Sequence, residues 1–203
     1  LFKMAFDRSV ALRVFANELK HTEVTMDKAA GDDKAPNFVL TPTGAKCNRV
    51  LIMGTLTEKD DIGAENEYWR ARIVDPTGNI LVYAGIYNQD AMDSLVKIEP
   101  PNFVAVIGKP SIYVPDGEES RPILTVRAEY IREVSKETVD RWSIETALQT
   151  IDRCEAETPE RMMAIDKYGD QLDTYSNMAI EVLKELAAPS EETQEDTEEI
   201  DLR

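Results

Sequence analysis

The sequence predicts a mainly β chain: a small closed barrel of five strands, with one helix before it and two behind it. Two observations carry that expectation. Between Phe38 and Val134 the order reads three strands, a short helix, then two strands, and from Lys136 onward the apolar residues fall at helical spacing.

The first expected element is an amphipathic helix over Asp7–Leu19, where Ala11, Phe15 and Leu19 repeat every four residues with Val14 beside them. Residues 26–37, with Asp27, Gly31, Asp32, Asp33 and Pro36, read as a polar linker. Strands are then expected over Lys46–Thr57, Tyr68–Asp75 and Asn79–Ile86. The last two flank the turn Asp75-Pro76-Thr77-Gly78, which has Pro second and Gly fourth. Asn88–Ile98 reads as a helix with an Asn cap and Ala91, Met92, Leu95, Val96 and Ile98 facing inward. Phe103–Val114 and Ile123–Val134 complete the strands around the turn Pro115-Asp116-Gly117-Glu118. A helix between the third and fourth of five strands is the order of an OB-fold barrel.

Behind the barrel, Lys136–Glu157 aligns Ile144, Leu148 and Ile151, with Ala147 adjoining. Thr158-Pro159 restarts the chain as N-cap and first helical residue. Ile165, Tyr168, Leu172, Tyr175, Ala179, Val182 and Leu186 then alternate by three and four, a seam broken only by Gly169. The organisation is thus a helix and linker over 1–36, the barrel over 37–135, helices over 136–187 and an acidic, disordered tail over 188–203.

Charge narrows the function. The net charge is -16 over 203 residues, yet 1–36 is neutral and 37–135 carries only -4, while the short stretch 190–203 carries -6. A uniformly acidic chain would repel phosphate; here the acid is concentrated at the C-terminal end. Cys47 and Cys154 are far apart and match no metal or redox spacing, which fits free thiols in a reducing cytosol. His21 is the only histidine, so one chain has no His triad and no multi-His metal site. No cofactor is implied. Asp60, Asp61, Glu65 and Glu67 read as a solvated loop rather than a metal cluster. No apolar run approaches the roughly 20 residues of a membrane span, and the opening Leu1-Phe2-Lys3-Met4 lacks the apolar core of a secretory signal.

Strand parity yields the candidate site. In Trp69-Arg70-Ala71-Arg72-Ile73 the apolar set faces inward, so Arg70 and Arg72 project outward about 7 Å apart. Ile80, Val82 and Ala84 continue the inner face, Leu81 and Tyr83 the outer. Leu124, Val126, Ala128 and Tyr130 are expected inward, which sends Thr125 and Arg127 outward. The outer face therefore bears Arg49, Arg70, Arg72, Tyr83 and Arg127. Cations beside an outward aromatic suit phosphate holding and base stacking. The alternative is a plain solvated face, its arginines paired to Glu65, Glu67 or Glu129.

The stretch Tyr68-Trp69-Arg70-Ala71-Arg72-Ile73-Val74-Asp75-Pro76-Thr77-Gly78-Asn79-Ile80 resembles the strand-turn-strand of replication protein A OB domains. Asn48-Arg49-Val50-Leu51-Ile52-Met53-Gly54, Pro100-Pro101-Asn102-Phe103-Val104-Ala105-Val106-Ile107-Gly108-Lys109-Pro110 and Asp140-Arg141-Trp142 look like the archaeal replication protein A-associated family, similar to the middle subunit of the eukaryotic complex. The likeness covers roughly residues 5–157. It implies a non-enzymatic, cytoplasmic, nucleoid-associated subunit that protects single-stranded DNA and assembles with other replication protein A-type subunits as a hetero-oligomer. Lys109 joins the candidate DNA contacts. Trp142, Ile144, Leu148 and Ile151 become the expected subunit interface. Large-subunit members add a zinc ribbon or several OB domains, which this sequence lacks, so a lone domain is expected to bind weakly and tight binding to come from linked sites. Two other functions compete: a protein-binding adaptor barrel, served by Leu51, Met53 and the helical seams, and an RNA-binding OB module.

Overall fold

A computed structural model of the chain describes residues 9–26, 36–116 and 120–188. The N-terminal segment departs from the expected helix. Leu12–Arg13 form a strand, β1, and only Ala16–Lys20 form a helix, α1. Leu12 N–H donates to Arg49 O at 3.0 Å, so β1 adds in parallel to the barrel edge. Backbone pairing decides this: Leu12–Arg13 are drawn out along β5, while Val14, Phe15 and Leu19 are still fully enclosed. The expected linker, 26–37, loses Met26 to a strand. Val24–Met26 (β2) pairs antiparallel with Phe38–Leu40 (β3), which pairs with Lys46–Cys47 (β4). Most of the linker, 27–35, lies outside the described residues.

The barrel begins with β5, Val50–Asp61, whose two halves serve different neighbours. Its last residues pair with β6, Tyr68–Asp75, and its first with β8, Asn102–Tyr113; Thr55 and Leu56 belong to both ladders. β6 and β7, Gly78–Gly85, form a hairpin in unbroken register from Tyr68↔Gly85 to Asp75↔Gly78. β9, Ile123–Glu133, runs antiparallel to β8 and closes the barrel against β7 in parallel, at Val82↔Val126 and Tyr83↔Arg127. The circuit β5-β6-β7-β9-β8-β5 is that of the OB fold. After the 3-10 turn Ile86–Asn88, helix α2 (Gln89–Lys97) lies between β7 and β8 and buries Ala91, Met92 and Leu95. Asn88 makes no side-chain capping bond. Tyr130 also departs from expectation: a register shift at Ile107/Gly108 adds a residue to β9, turning Tyr130 outward and Ile131 into the core.

Helix α3, Lys136–Glu155, is capped by Ser135, which accepts from Thr138 N–H at 3.3 Å. It packs through Val139, Trp142, Ser143, Thr146, Ala147, Thr150 and Cys154. Trp142, expected at the subunit interface, is enclosed within the chain itself. It is 2% exposed, meets the Phe15 ring edge-on at 5.5 Å and donates from Nε1 to Leu51 O at 3.2 Å. Ile144 and Leu148 remain exposed and Ile151 half-buried. Thr158 caps α4 (Pro159–Tyr168), accepting from Arg161 N–H, as expected. Gly169, at φ +77°, then splits the anticipated seam, and α5 (Leu172–Ala187) packs back on α3 through Tyr175, Ala179 and Val182. Of the expected tail, 189–203 lies outside the described residues. No described helix is long and apolar enough to cross a membrane.

A buried polar network ties the first helix to the last layer. Glu18 is fully buried; its carboxylate accepts from Thr43 Oγ1 at 2.5 Å and from Arg153 at 3.0 Å. Arg153 also donates to Thr43 and Thr150. Tyr168 Oη accepts from the Glu23 and Val24 amides and donates to Leu40 O at 2.6 Å, fastening α4 to the small sheet. Burial pushes the Cys47 and Cys154 thiols up to about 12 and about 11, which leaves both as unreactive packing groups.

Candidate nucleic-acid interface

Pairing register places four outward side chains in one row across four strands. Arg70 on β6 faces Tyr83 on β7, Tyr83 faces Arg127 on β9, and Arg127 faces Lys109 on β8. At ~4.8 Å per strand the row runs about 14 Å, cation–aromatic–cation–cation. Residues two apart on a strand share a face, so Tyr68 joins the row from below; its ring stacks on Tyr83 at 5.6 Å and 23°. Gly85, opposite Tyr68, makes room for this. A Cβ there would lie 2.7 Å from the Tyr68 ring. Burial and the neighbouring Tyr83 push the Tyr68 phenol up, with Arg127 pulling the other way.

This surface is a cleft of about 510 Å³. Its walls are Tyr68 and Tyr83, the cations Lys109 and Arg127, the hydroxyls of Ser111 and Thr125, and Asn37 and Asn48 from the small sheet and its junction. Among the described residues no carboxylate lines it, in a chain of net charge -16. Among the described residues Arg127 makes no ion pair, and Lys109 reaches Glu129 only at 3.9 Å. The cleft offers two cations, stacking faces and neutral hydrogen-bonding groups. That set can hold a phosphodiester and the base attached to it.

Not every expected site residue lies in it. Arg70 and Arg72 do project outward, but each is bound to the residue opposite it on β5, Asp60 at 3.2 Å and Glu58 at 3.1 Å. Arg49 is half-buried against Glu129 at 2.5 Å. The paired-arginine alternative therefore describes these three, with Asp60 and Glu58 rather than Glu65 and Glu67 as partners. The structure brings together Tyr83, Lys109 and Arg127 and adds Tyr68, Ser111 and Asn48. Tyr68 was within reach of sequence reasoning, since it shares outward parity with Arg70. Asn48 was not, because its position depends on how the N-terminal sheet meets the barrel. Among the described residues no group of three His, Cys, Asp or Glu could hold a metal ion.

No family model matches the sequence, and no curated protein matches it. Solved structures resemble part of it. A replication protein A heterotrimer bound to ssDNA aligns at 16% identity and a TM-score of 0.42, over 55% of this chain and 78% of that one. The mitochondrial single-stranded DNA binding protein of S. cerevisiae aligns at 17% and 0.35, over 43% and 94%. An OBody bound to hen egg-white lysozyme aligns at 13% and 0.33, over 44% and 97%. At these identities the OB assignment stands on the chain's own strand order.

Proposed function

We propose that this chain is a non-enzymatic, single-stranded-DNA-binding OB subunit that works within a replication protein A-like assembly in replication, repair and recombination. The observation that carries the reading is the row Tyr83–Arg127–Lys109 in a cleft that no carboxylate lines among the described residues. Single strands are favoured over duplex because the tyrosine faces need unstacked bases. The exposed Ile144 and Leu148 on α3, left over after the helix has packed, support assembly with partner subunits.

Fluorescence anisotropy of a labelled oligothymidine, titrated with the chain alone and with its native assembly, tests this. Binding that falls on Arg127→Ala and is outcompeted by unlabelled single-stranded DNA, not by duplex, supports the reading. Stronger competition by RNA of the same sequence would point to an RNA-binding module. No binding in either form would leave the protein-binding adaptor, in which α3 and the barrel serve assembly alone.

A further inference from the structure

A second cleft of about 250 Å³ adjoins the first. The two share Tyr68 and Arg127, which form the ridge between them. The second has a different chemistry. It is lined by Gly85, by Ile86 and Tyr87 from the 3-10 turn that follows β7, and by Asn66, Glu67 and Asn88. Tyr87 is 91% exposed and Ile86 46%, two large side chains held in water beside a stacked tyrosine pair. Neither contributes to the core, and α2 is anchored without them through Ala91, Met92 and Leu95. Beyond Tyr87 the surface turns acidic, with Asp90 and Glu129 lining the next hollow.

We propose that the cleft of Gly85, Ile86 and Tyr87 is a second base-stacking subsite, the terminal one of the track. Resting on the nucleic-acid reading above, it places consecutive nucleotides of one strand on either side of Tyr68. Arg127, reachable from both clefts, holds the phosphate that joins them. Three features favour this order. The polar cleft has the cations and amides that suit a phosphate and a base edge. The second cleft offers apolar and aromatic surface with the Glu67 carboxylate beside it, which takes a base by stacking and turns a phosphate away. The carboxylate of Asp90 then opposes any further phosphate, while Glu129 beside it is already engaged by Arg49, so the strand does not continue past Tyr87.

The test is a length series of oligothymidines, from two to eight nucleotides, bound to the full chain or its assembly, with wild type, Tyr87→Ala, Tyr87→Phe and Arg127→Ala compared. Tyr87 is exposed, so its replacement leaves the melting temperature unchanged and folding does not confuse the result. The expected outcome for Tyr87→Ala is about a tenfold loss of affinity, in the range for one stacked base. That loss appears only above the length needed to reach the second cleft, leaves the salt dependence unaltered, and is restored by Tyr87→Phe. If Arg127→Ala weakens binding while Tyr87→Ala changes it at no length, the second subsite is wrong and the main cleft stands. An equal loss at every length would also overturn it, since Tyr87 would then not be terminal. If Arg127→Ala and Tyr87→Ala both bind as wild type, the groove reading itself fails.

Discussion

Asp75 reaches across from the β6–β7 turn to cap a helix that begins 59 residues earlier: its Oδ2 accepts from Ala16 N–H at 2.6 Å. Its other oxygen accepts from the Thr77 and Gly78 amides and the Thr77 hydroxyl, holding the turn itself. Phe15, at the N-cap position of α1, has no side chain able to do this. Burial pushes the Asp75 carboxyl up, opposed by these donors. Asp75→Asn would set an amide N–H against one of them. The expected cost is ~1–3 kcal/mol, read as a fall in the urea midpoint with an unchanged slope.

The Glu18–Arg153 pair supplies a second stability test. Glu18 is fully buried, so removing its cation leaves a carboxylate with only the Thr43 hydroxyl for company. Arg153→Met keeps most of the volume and is expected to destabilise by about 3–5 kcal/mol. Pairing it with Glu18→Gln should recover part of that loss. Thermal unfolding of the two variants and the double variant gives the coupling directly.

Salt dependence distinguishes free cations from paired ones. Each lost phosphate contact lowers the log–log slope for single strands by about 0.7. Arg127→Ala with Lys109→Ala should therefore flatten the slope clearly. Arg70→Ala with Arg72→Ala should flatten it less, because those guanidiniums are engaged with Asp60 and Glu58 and their removal also frees two carboxylates to repel the strand. Binding isotherms at several salt concentrations decide this, and equal slopes for the two double variants would refute it.

Assembly is tested on the face of α3 that the chain leaves uncovered. Ile144→Asp with Leu148→Asp changes two exposed positions, 41% and 50%, and should leave the isolated chain's melting temperature nearly unchanged. In the proposed complex the same change would bury unpaired carboxylates at a cost of several kcal/mol. Light scattering should then show the complex falling to smaller species. A variant that keeps the native mass would acquit this stripe.

What the sequence made legible follows from how local each cause is. The β6–β7 hairpin was readable nearly to the residue because alternation and a Pro–Gly turn both lie within it. The N-terminal helix was misread because Leu12–Arg13 gain their backbone partner from Arg49 and Leu51, far along the chain. Tyr130 was placed inward because one added residue in β9 leaves no mark on composition, though it reverses parity beyond it. In α3 the spacing of Ile144, Leu148 and Ile151 was read correctly, but the helix buries its small residues, Ser143, Thr146, Ala147 and Thr150, against α5 and the barrel. At the site, outward parity identified Tyr83 and Arg127, while only pairing register could show that Arg70 and Arg72 stand opposite acids.

The contact that closes the barrel is also its shortest: β7 and β9 meet at only two rungs, Val82↔Val126 and Tyr83↔Arg127, where β8 and β9 run together for ten. Two rungs make this the hem along which the cylinder opens most readily, and the second rung carries the tyrosine and the arginine of the cleft. A strand that stacks on one and salts the other stitches the hem. On the proposed function, occupancy and closure are linked, and amide exchange at Val82, Tyr83, Val126 and Arg127 should slow as single-stranded DNA saturates the cleft.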